Sequence, residues 1–242
     1  MDHHDPGTLY VVSTPIGNLE DITLRALRIL KTVGILAAED TRHTKQLCTH
    51  FGIETPLTSY HDFNKEEKTA VLLERLQSGT DIALVTDAGT PVISDPGYFL
   101  ITRAIEAGVR IVPVPGASAV LAALVASGLP SDRFRFEGFL PRKTGPRMKQ
   151  IERLREEPGT LILFESPHRI EKLLVALHTG LGNRRAVLAR ELTKKFEEVH
   201  RGTLDQLLEQ VRNRPPKGEI TLVVEGVPRR RGQEPRSPNV HD

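Results

Sequence analysis

Aromatic residues are scarce in this chain: tryptophan is absent, there are three tyrosines, and Phe, Trp and Tyr together make up 5% of the sequence. Proteins that bind single-stranded nucleic acid by base stacking need a platform of exposed aromatic rings. The composition therefore disfavours that mode of recognition.

Cysteine, long apolar runs and metal-site histidine spacings are also lacking. The one cysteine, Cys48, excludes an intrachain disulfide and a cysteine-rich zinc site, and it fits a reducing compartment. The start, MDHHDPG, does not have the charged-then-apolar plan of a signal peptide, and the longest run of apolar and small residues, 117–129, is too short to span a bilayer. We therefore expect a soluble cytoplasmic protein, and since no histidine pair has zinc-site spacing, we expect no metal.

Charge of one sign is not in large excess either. The formal net charge is +2, and the Arg- and Pro-rich residues 227–242 account for all of it, so the rest of the chain is balanced. A general electrostatic attraction to nucleic acid is therefore excluded, and any such contact must come from a local basic patch.

The first half of the chain alternates short apolar runs, typical of strands, with segments of helical periodicity. Strands are predicted at 8–13, 34–38, 56–60, 82–86 and 110–116, with helices between them and a small-residue helix at 117–127. Asp21 is expected to cap the first helix, and the pair Asp95–Pro96 is expected to open the fourth, which Gly108 ends. This alternation predicts an α/β fold with a parallel, doubly wound sheet, in which ligands lie beyond the carboxyl ends of the strands.

The second half has closer, less regularly spaced strands, which favours a mixed sheet. Strands are predicted near 136–140 and at 160–165, 186–191, 197–201 and 219–226, and helices at 145–156, 168–178 and 203–212. The sequence thus predicts an N-terminal α/β domain at 1–128 with residues 1–7 flexible, a C-terminal α/β domain at 129–226, and a disordered tail at 227–242.

Three loops at predicted strand ends are rich in small residues. TDAGTP places Asp87 after a buried strand, where its carboxylate suits a ligand with an amino group or ribose hydroxyls; a tight turn that Asp87 caps explains it equally well. STPIGN follows the first strand and PGASA the fifth, where the backbone is open to a flat ligand or packs closely on a strand. Neither G-x-G-x-x-G nor a P-loop motif occurs, which disfavours a dinucleotide pyrophosphate site and excludes a P-loop.

Three other strand ends mix acidic and basic residues: AEDTRHT, ESPHR and ARELTKKFEE. Such clusters could grip substrate groups, or they could be solvated ion pairs. Between Arg135 and Arg155 there are seven basic residues against Glu137 and Glu152, a local charge of +5. This region could attract RNA phosphates, or it could be an ordinary wet helix face.

Taken in order, these loops form a distinctive set. LYVVSTPIGNLEDIT, AAEDTRHT, DAGTPVISDPG, VPGASA, FEGFLPRK, FESPHRI and ARELTKKFEE with RGTL resemble the tetrapyrrole-methylase superfamily, and more closely its branch that methylates a cytidine ribose 2′-oxygen in 16S ribosomal RNA of the small subunit. The resemblance extends from about Thr8 to Gly226. The tetrapyrrole enzymes have a glycine-rich first loop where this chain has STPIGN, which argues against a porphyrin-like substrate.

The resemblance implies two α/β domains with S-adenosylmethionine in the cleft between them, and a homodimer. Carried over by position, the cofactor-binding residues are Pro15, Ile16, Gly17, Asp87, Gly89, Thr90, Ser118, Ala119, Phe164, Leu192, Gly218, Glu219, Ile220 and Thr221. The residues from Pro15 to Ala119 in this list lie in STPIGN, TDAGTP and PGASA, the three small-residue loops described above.

A ribose hydroxyl that attacks a methyl group must lose its proton, so a general base is expected within reach. The hypothesis is that this base is Asp40, Glu165 or His168, and the residues alone do not distinguish among the three. The expected substrate-binding residues, which would hold phosphates or ribose, are Arg42, Arg142, Lys143, Arg147, Arg169, Arg190 and Lys194.

Three other functions remain open at this point. A methyltransferase of the same fold could act on a tetrapyrrole or a protein, which the basic patch mildly disfavours. A non-catalytic RNA-binding protein would have no need of the small-residue loops. A dehydrogenase is disfavoured by the missing glycine fingerprint.

Overall fold

The computed structural model describes residues 5–93 and 97–227. Three predictions therefore lie wholly or partly outside the described residues: most of the flexible start at 1–7, the Asp95–Pro96 helix start, and all but the first residue of the tail at 227–242. The chain divides into two compact units, Met1–Ala119 and Val120–Asp242, which we call unit 1 and unit 2. The sequence analysis predicted the boundary between the two domains after residue 128.

Unit 1 has the predicted alternation of strands and helices. Its elements are β1 (Thr8–Val12), α1 (Leu24–Thr32), β2 (Ile35–Ala38), α2 (Thr41–Phe51), β3 (Leu57–Ser59), α3 (Lys65–Gln77), β4 (Ile82–Val85), α4 (Tyr98–Glu106) and β5 (Arg110–Val114). The strands form one sheet in the order β3-β2-β4-β1-β5, and every neighbouring pair is parallel. Four strand ends therefore lie along one edge next to one another, in the order β2, β4, β1 and β5.

Both faces of this sheet are covered, as the continuous apolar strands predict. Side chains alternate along β4: Ala83 and Val85 pack with α1 and α2, whereas Ile82 and Leu84 pack with α3 and α4. The helices thus cover the two faces in pairs, and the prediction of a doubly wound parallel sheet is confirmed.

The start of α1 differs from the prediction. Asp21 does not cap it, because Asp21 lies in a short 3-10 helix, Leu19–Asp21, which Asn18 caps. The cap of α1 is Thr23, whose hydroxyl oxygen accepts a hydrogen bond of 3.0 Å from the amide of Ala26. The extra turn moves the helix start two residues along the chain, which the apolar periodicity alone does not reveal.

Unit 2 contains the predicted mixed sheet. Its elements are α5 (Ala119–Ser127), β6 (Phe134–Gly138), α6 (Thr144–Arg153), β7 (Thr160–Glu165), α7 (Ile170–Leu181), β8 (Arg185–Arg190), β9 (Glu198–Thr203), α8 (Leu204–Asn213) and β10 (Ile220–Val224). The strand order is β6-β7-β10-β8-β9; the β6–β7 pair is parallel and the other three pairs are antiparallel.

The faces of the second sheet are covered unequally. Helices α6, α7 and α8 pack on the face that carries Leu161, Leu163 and Leu222. The opposite face carries Ile162 and Val223 and packs against the small-residue helix α5. Because α5 buries its apolar side chains on this sheet, it belongs to unit 2 from its second residue, Val120, onward. None of the helices in the described ranges is long and apolar enough to cross a membrane.

Candidate functional site

Two of the small-residue loops of unit 1 are joined by their backbones. Thr14, which follows β1, and Gly89, which follows β4, exchange two hydrogen bonds of 2.9 and 3.1 Å between their amides and carbonyls. The buried Thr14 hydroxyl also donates to the Thr86 carbonyl over 3.1 Å. The predicted cofactor residues Pro15, Ile16, Gly17, Asp87 and Gly89 therefore belong to two loops held at a fixed spacing.

The third loop joins them through hydroxyl groups. The Ser13 and Thr90 hydroxyls are 3.1 Å apart, and the Thr90 hydroxyl lies 3.3 Å from the Ala117 carbonyl that it donates to. A Cβ added to Gly116 would lie 2.9 Å from Cβ of Ser13, so this approach requires glycine. Ser118 and Ala119 follow directly. The structure thus brings the three loops together, which parallel strand ends predict.

Gly89 lies at the centre of this group of loops. Its φ is +85°, a left-handed conformation that favours glycine. An added Cβ would lie 3.3 Å from Cγ2 of Ile16 and 3.7 Å from the Ala117 carbonyl oxygen. Val92, three residues on, also has a positive φ, +78°, which is strained for a β-branched residue. Such a strained conformation persists only where the surrounding structure fixes the backbone, as it does in many ligand-binding loops.

Asp87 extends the group to the neighbouring strand β2. Its Oδ1 accepts a hydrogen bond of 3.0 Å from the amide of Asp40, and its Oδ2 has no hydrogen-bond donor among the described residues. Thr86 likewise donates its hydroxyl to Glu39 Oε2 over 2.9 Å. The half-buried Asp87 carboxylate is therefore oriented by one oxygen while the other is available to a ligand.

Asp40 is the first candidate base, and its carboxylate is already engaged. It caps α2 by accepting from the Arg42 amide at 2.8 Å, and it forms an ion pair with the Arg42 guanidinium at 2.7 Å. The side-chain hydrogen bond from Arg42 holds the pKa of Asp40 well below its usual range. The Arg42 side chain is 89% exposed, so its remaining donors face solvent.

Glu165, the second candidate base, lies at the end of β7 in unit 2 and is enclosed. Its side chain is 1% exposed, and it pairs with Arg169 at 3.2 Å while accepting from the Ser166 amide at 2.8 Å. Arg169 in turn donates to the Leu140 carbonyl at 2.7 Å. This arrangement ties the loop after β7 to the segment after β6, which favours a structural role for both charges.

His168, the third candidate, is exposed in the turn between Glu165 and α7. Among the described residues it has no hydrogen-bond or ion-pair partner, in contrast with Asp40 and Glu165.

Three of the unit 2 cofactor candidates, Phe164, Leu192 and Thr221, lie on one face of its sheet. Phe164 and Thr221 are register partners across the antiparallel β7–β10 pair. The ring of Phe164 meets that of Phe136 at 4.9 Å and that of Phe139 at 5.8 Å, and Leu192 packs on the same face. The neighbouring candidate Ile220 faces the other way, into the core under α7 and α8.

The loop after β8 holds Gly218 and Glu219 through one carboxylate. Glu191 Oε1 accepts hydrogen bonds from the Glu219 amide at 3.0 Å and from Lys194 Nζ at 3.1 Å. The hydrogen bond from the Glu219 amide is the main reason that the pKa of Glu191 is lowered. Gly218 has φ +82°, and a Cβ there would lie 2.2 Å from this carboxylate. Lys194 also pairs with Glu219 at 3.0 Å, so it stabilises the loop.

The remaining predicted substrate residues fall into two groups. Arg142 and Lys143 are exposed directly before α6. Arg190 and Arg147 are not exposed: the Arg190 side chain is 12% exposed and pairs with Glu198 at 3.2 Å, and Arg147 is buried. No group of three or more potential metal ligands (His, Cys, Asp or Glu) occurs in residues 5–93 and 97–227.

The sequence did not single out Ser13, Thr14 or Gly116, although these residues join the loops of unit 1. The feature of the sequence that could have indicated them is the pair of hydroxyl residues, Ser13 and Thr14, directly after a buried strand.

Comparison with known proteins adds to this geometry. A family model described as "Tetrapyrrole (Corrin/Porphyrin) Methylases" matches residues 8–208. A protein of Xylella fastidiosa named "Ribosomal RNA small subunit methyltransferase I" is 54% identical over 224 residues, 91% of this chain and 82% of that protein. A protein of the same name from Pseudomonas aeruginosa is 51% identical over 231 residues, 94% of this chain and 82% of that protein.

Solved structures share the fold at lower identity. The crystal structure of uroporphyrin-III-C-methyltransferase from Thermus thermophilus matches with a TM-score of 0.65 and 22% identity, over 90% of this chain and 94% of that chain. At this identity the likeness concerns the fold alone.

Proposed function

This chain belongs to the tetrapyrrole methylase family, and from that premise we propose that it transfers a methyl group from S-adenosylmethionine to 16S ribosomal RNA of the small subunit. The observation that carries the proposal is the identity of 51% and 54%, over more than nine-tenths of the chain, to two proteins named ribosomal RNA small subunit methyltransferase I.

The loops of unit 1 fit the adenosyl cofactor of this family. The exposed Gly17 carries no side chain that would keep a ligand from the backbone, and the unengaged Oδ2 of Asp87 can accept from an amine or a ribose hydroxyl. The whole group is fixed in advance by the hydrogen bonds of Thr14 with Gly89 and of Ser13 with Thr90, so little order has to be gained on binding. When bound, the cofactor supplies a methyl group on a positively charged sulfur. In unit 2 we assign cofactor contact to Phe164, Leu192, Gly218, Glu219 and Thr221, and we assign Ile220 a supporting role.

The acceptor that we propose is the 2′-oxygen of a cytidine ribose. Its bond to the methyl carbon forms as the carbon–sulfur bond breaks, and the hydroxyl proton passes to a base. His168 suits this role because it is exposed and has no partner among the described residues. Asp40 is a weak base, since Arg42 lowers its pKa, and Glu165 is enclosed with Arg169.

For the RNA backbone we propose Arg42, Arg142 and Lys143 as exposed cationic contacts. Arg169, Arg190 and Lys194 have carboxylate partners and, unlike Arg42, are largely enclosed, so we assign them the positioning of the loops that carry the site. We also infer a homodimer, as the family resemblance implies; sedimentation of the full chain at several concentrations tests it, and a monomer throughout overturns it.

In the decisive experiment the full chain is incubated with methyl-labelled S-adenosylmethionine and one possible substrate at a time. The four substrates are unmethylated 30S subunits, naked 16S RNA, a tetrapyrrole mixture and a protein extract. We expect label in 30S subunits or 16S RNA. Alkaline hydrolysis then distinguishes the acceptor atom, because a 2′-O-methyl ribose blocks cleavage and leaves labelled dinucleotides. Label in the tetrapyrrole or protein fraction, or label in mononucleotides after hydrolysis, contradicts the proposal. The Asp87→Ala variant is the control for cofactor-dependent transfer.

A further inference from the structure

A depression of about 320 Å³ lies between α6 and α7 of unit 2. It is large enough for a phosphate with its neighbouring sugar. Its walls are formed by Thr144, Arg147, Met148, Glu171, Lys172, Val175, Ala176 and Thr179.

Arg147 is the unusual member of this lining. The residue is 8% exposed, and its Nε is fully enclosed with no hydrogen-bond partner. Its side chain makes no hydrogen bond or ion pair with any described residue, whereas its backbone amide donates to the Lys143 carbonyl. A buried polar group without a partner carries a desolvation cost, and the cost is larger for a charged group.

Arg184 shows how this chain satisfies an arginine buried for structural reasons. It is also 8% exposed, but its guanidinium donates to three backbone carbonyls, those of Leu181, Glu225 and Arg155. Arg147 has equal burial and none of these contacts. The contrast indicates that the partner of Arg147 is not part of the fold.

The surroundings of Arg147 favour an anion. Lys172 adds a second cation, and the nearby carboxylate of Glu171 is engaged by Arg212 at 2.9 Å. Helix α6 begins at Thr144 with no acidic residue in its first turn and no side-chain cap, so its first amides and positive dipole end are not neutralised by a carboxylate. The apolar side chains of Met148 and Val175 offer a wall for a sugar or base.

The position along the chain connects this depression to the proposed substrate loops. Arg142 and Lys143 directly precede α6, and His168 lies two residues before α7. Both helices follow parallel neighbouring strands, β6 and β7, so both start at the same edge of the sheet.

We propose that this depression is a binding site for a backbone phosphate of the RNA substrate, with Arg147 as the main ligand and Lys172 as the second cation. The inference rests on the proposed function, because that function supplies the phosphate. It adds a site set into the α6–α7 helix layer, distinct from the small-residue loops.

The first test compares Arg147→Met with Arg28→Met in the full chain. Methionine keeps the buried aliphatic volume and removes the charge and donors, and Arg28 is an exposed arginine on α1 of unit 1. Binding of a labelled 16S RNA fragment is measured by fluorescence anisotropy at several salt concentrations. We expect Arg147→Met to weaken binding about tenfold and to reduce the salt slope by roughly one phosphate contact, whereas Arg28→Met binds as the parent does. Parent-like affinity and slope in Arg147→Met overturn the proposal.

Folding does not obscure this comparison, because replacing an unpaired buried charge by an apolar side chain of similar size is neutral or stabilising. We expect the melting temperature of Arg147→Met to equal or exceed that of the parent. A lower one, together with parent-like RNA binding, would indicate a purely structural arginine.

The second test detects the ligand directly. The Nε–H signal of Arg147 is identified in a proton–nitrogen NMR spectrum by its absence in Arg147→Met, and the protein is titrated with inorganic phosphate and with the RNA fragment. We expect both to move the signal. A shift with phosphate alone assigns the depression to a small free anion, and no shift with either removes the site.

Failure of this proposal is distinguishable from failure of the proposed function. Methyl transfer to RNA with parent-like binding by Arg147→Met overturns only the phosphate site. Absence of methyl transfer overturns the function, while the phosphate and RNA titrations still decide what Arg147 binds.

Discussion

The backbone amide of Asp40 donates a hydrogen bond of 3.0 Å to Oδ1 of Asp87. The two residues follow β2 and β4, which are neighbouring parallel strands with Ala38 in register with Val85. One carboxylate oxygen therefore holds the start of α2 in place, and the other has no hydrogen-bond donor among the described residues. We therefore propose two separable functions for Asp87: the structural one shown by this hydrogen bond, and cofactor binding by the second oxygen.

The first prediction separates these functions with Asp87→Asn and Asp87→Ala. Asparagine keeps an oxygen that can accept from the Asp40 amide, so Asp87→Asn should retain most of the stability and lose about tenfold in cofactor affinity, because the charge is gone. Asp87→Ala should lose the affinity and, in addition, about 1–3 kcal/mol of unfolding free energy, because the half-buried amide loses its acceptor.

Calorimetry with S-adenosylmethionine and urea unfolding measure the two quantities. Parent-like affinity in Asp87→Asn would show that the carboxylate does not contact the cofactor.

The second prediction concerns the backbone at Gly89. Alanine in a left-handed conformation costs roughly 1–2 kcal/mol. In Gly89→Ala the new Cβ also displaces Ile16, 3.3 Å away, so cofactor affinity should fall as well. Gly52→Ala is the matched control, since Gly52 has φ +60°, ends α2, and would have no atom within 4 Å of an added Cβ. Equal effects of the two variants on cofactor affinity would argue against a close approach of the ligand at Gly89.

The architecture could be predicted because its signals are local. Two-residue alternation and continuous apolar strands determine that β4 is covered on both faces, and the closer strand spacing after residue 128 indicates the mixed sheet. The position of α5 could not be obtained in this way. Its sequence is apolar on all sides, so only the tertiary contacts of Val120 and Leu124 with the second sheet assign it to unit 2.

The sequence predicted which loops form the candidate site, but it did not predict which charged side chains there are paired. Parallel strand ends bring loops together whatever their sequence, so the three small-residue loops were found. Whether a given charge is free depends on partners far along the chain. Arg190 pairs with Glu198, and Arg169, the partner of Glu165, donates to the Leu140 carbonyl 29 residues away; neither contact is indicated by the local sequence pattern.

The third prediction tests the structural role of Glu165. Glu165→Ala leaves the Arg169 charge without its partner, and loss of one member of a buried pair costs about 3–5 kcal/mol of unfolding free energy. Glu106→Ala, which breaks an exposed pair with Arg103, should cost less than about 0.5 kcal/mol. Glu165→Gln keeps one acceptor oxygen and should retain methyl transfer; a loss of a hundredfold or more in kcat with unchanged stability would instead identify Glu165 as the base.

The fourth prediction concerns Asp40 and pH. Its pKa in the folded chain is lowered by Arg42, so its charge stabilises the fold above the unfolded value of about 3.9, and this contribution is lost as the pH falls below that value toward the folded pKa. Asp40→Asn keeps a capping oxygen and removes the charge. Its unfolding free energy should therefore be lower than that of the parent at pH 6 to 7, and the difference should shrink as the pH falls below about 4. A difference independent of pH would show that the charge is not involved.

The fifth prediction identifies the base. His168→Ala should lower kcat by about 10²–10⁴, the usual contribution of a positioned general base, and leave cofactor affinity unchanged. Asp40→Asn should transfer methyl groups at the parental rate at neutral pH, because a carboxylate with so low a pKa has little affinity for the ribose proton. His50→Ala, an exposed histidine near the end of α2, controls for the loss of an imidazole. Single-turnover methylation of RNA measures the chemical step, and a parental rate in His168→Ala would leave proton removal to solvent or to the RNA, with positioning alone supplying the acceleration.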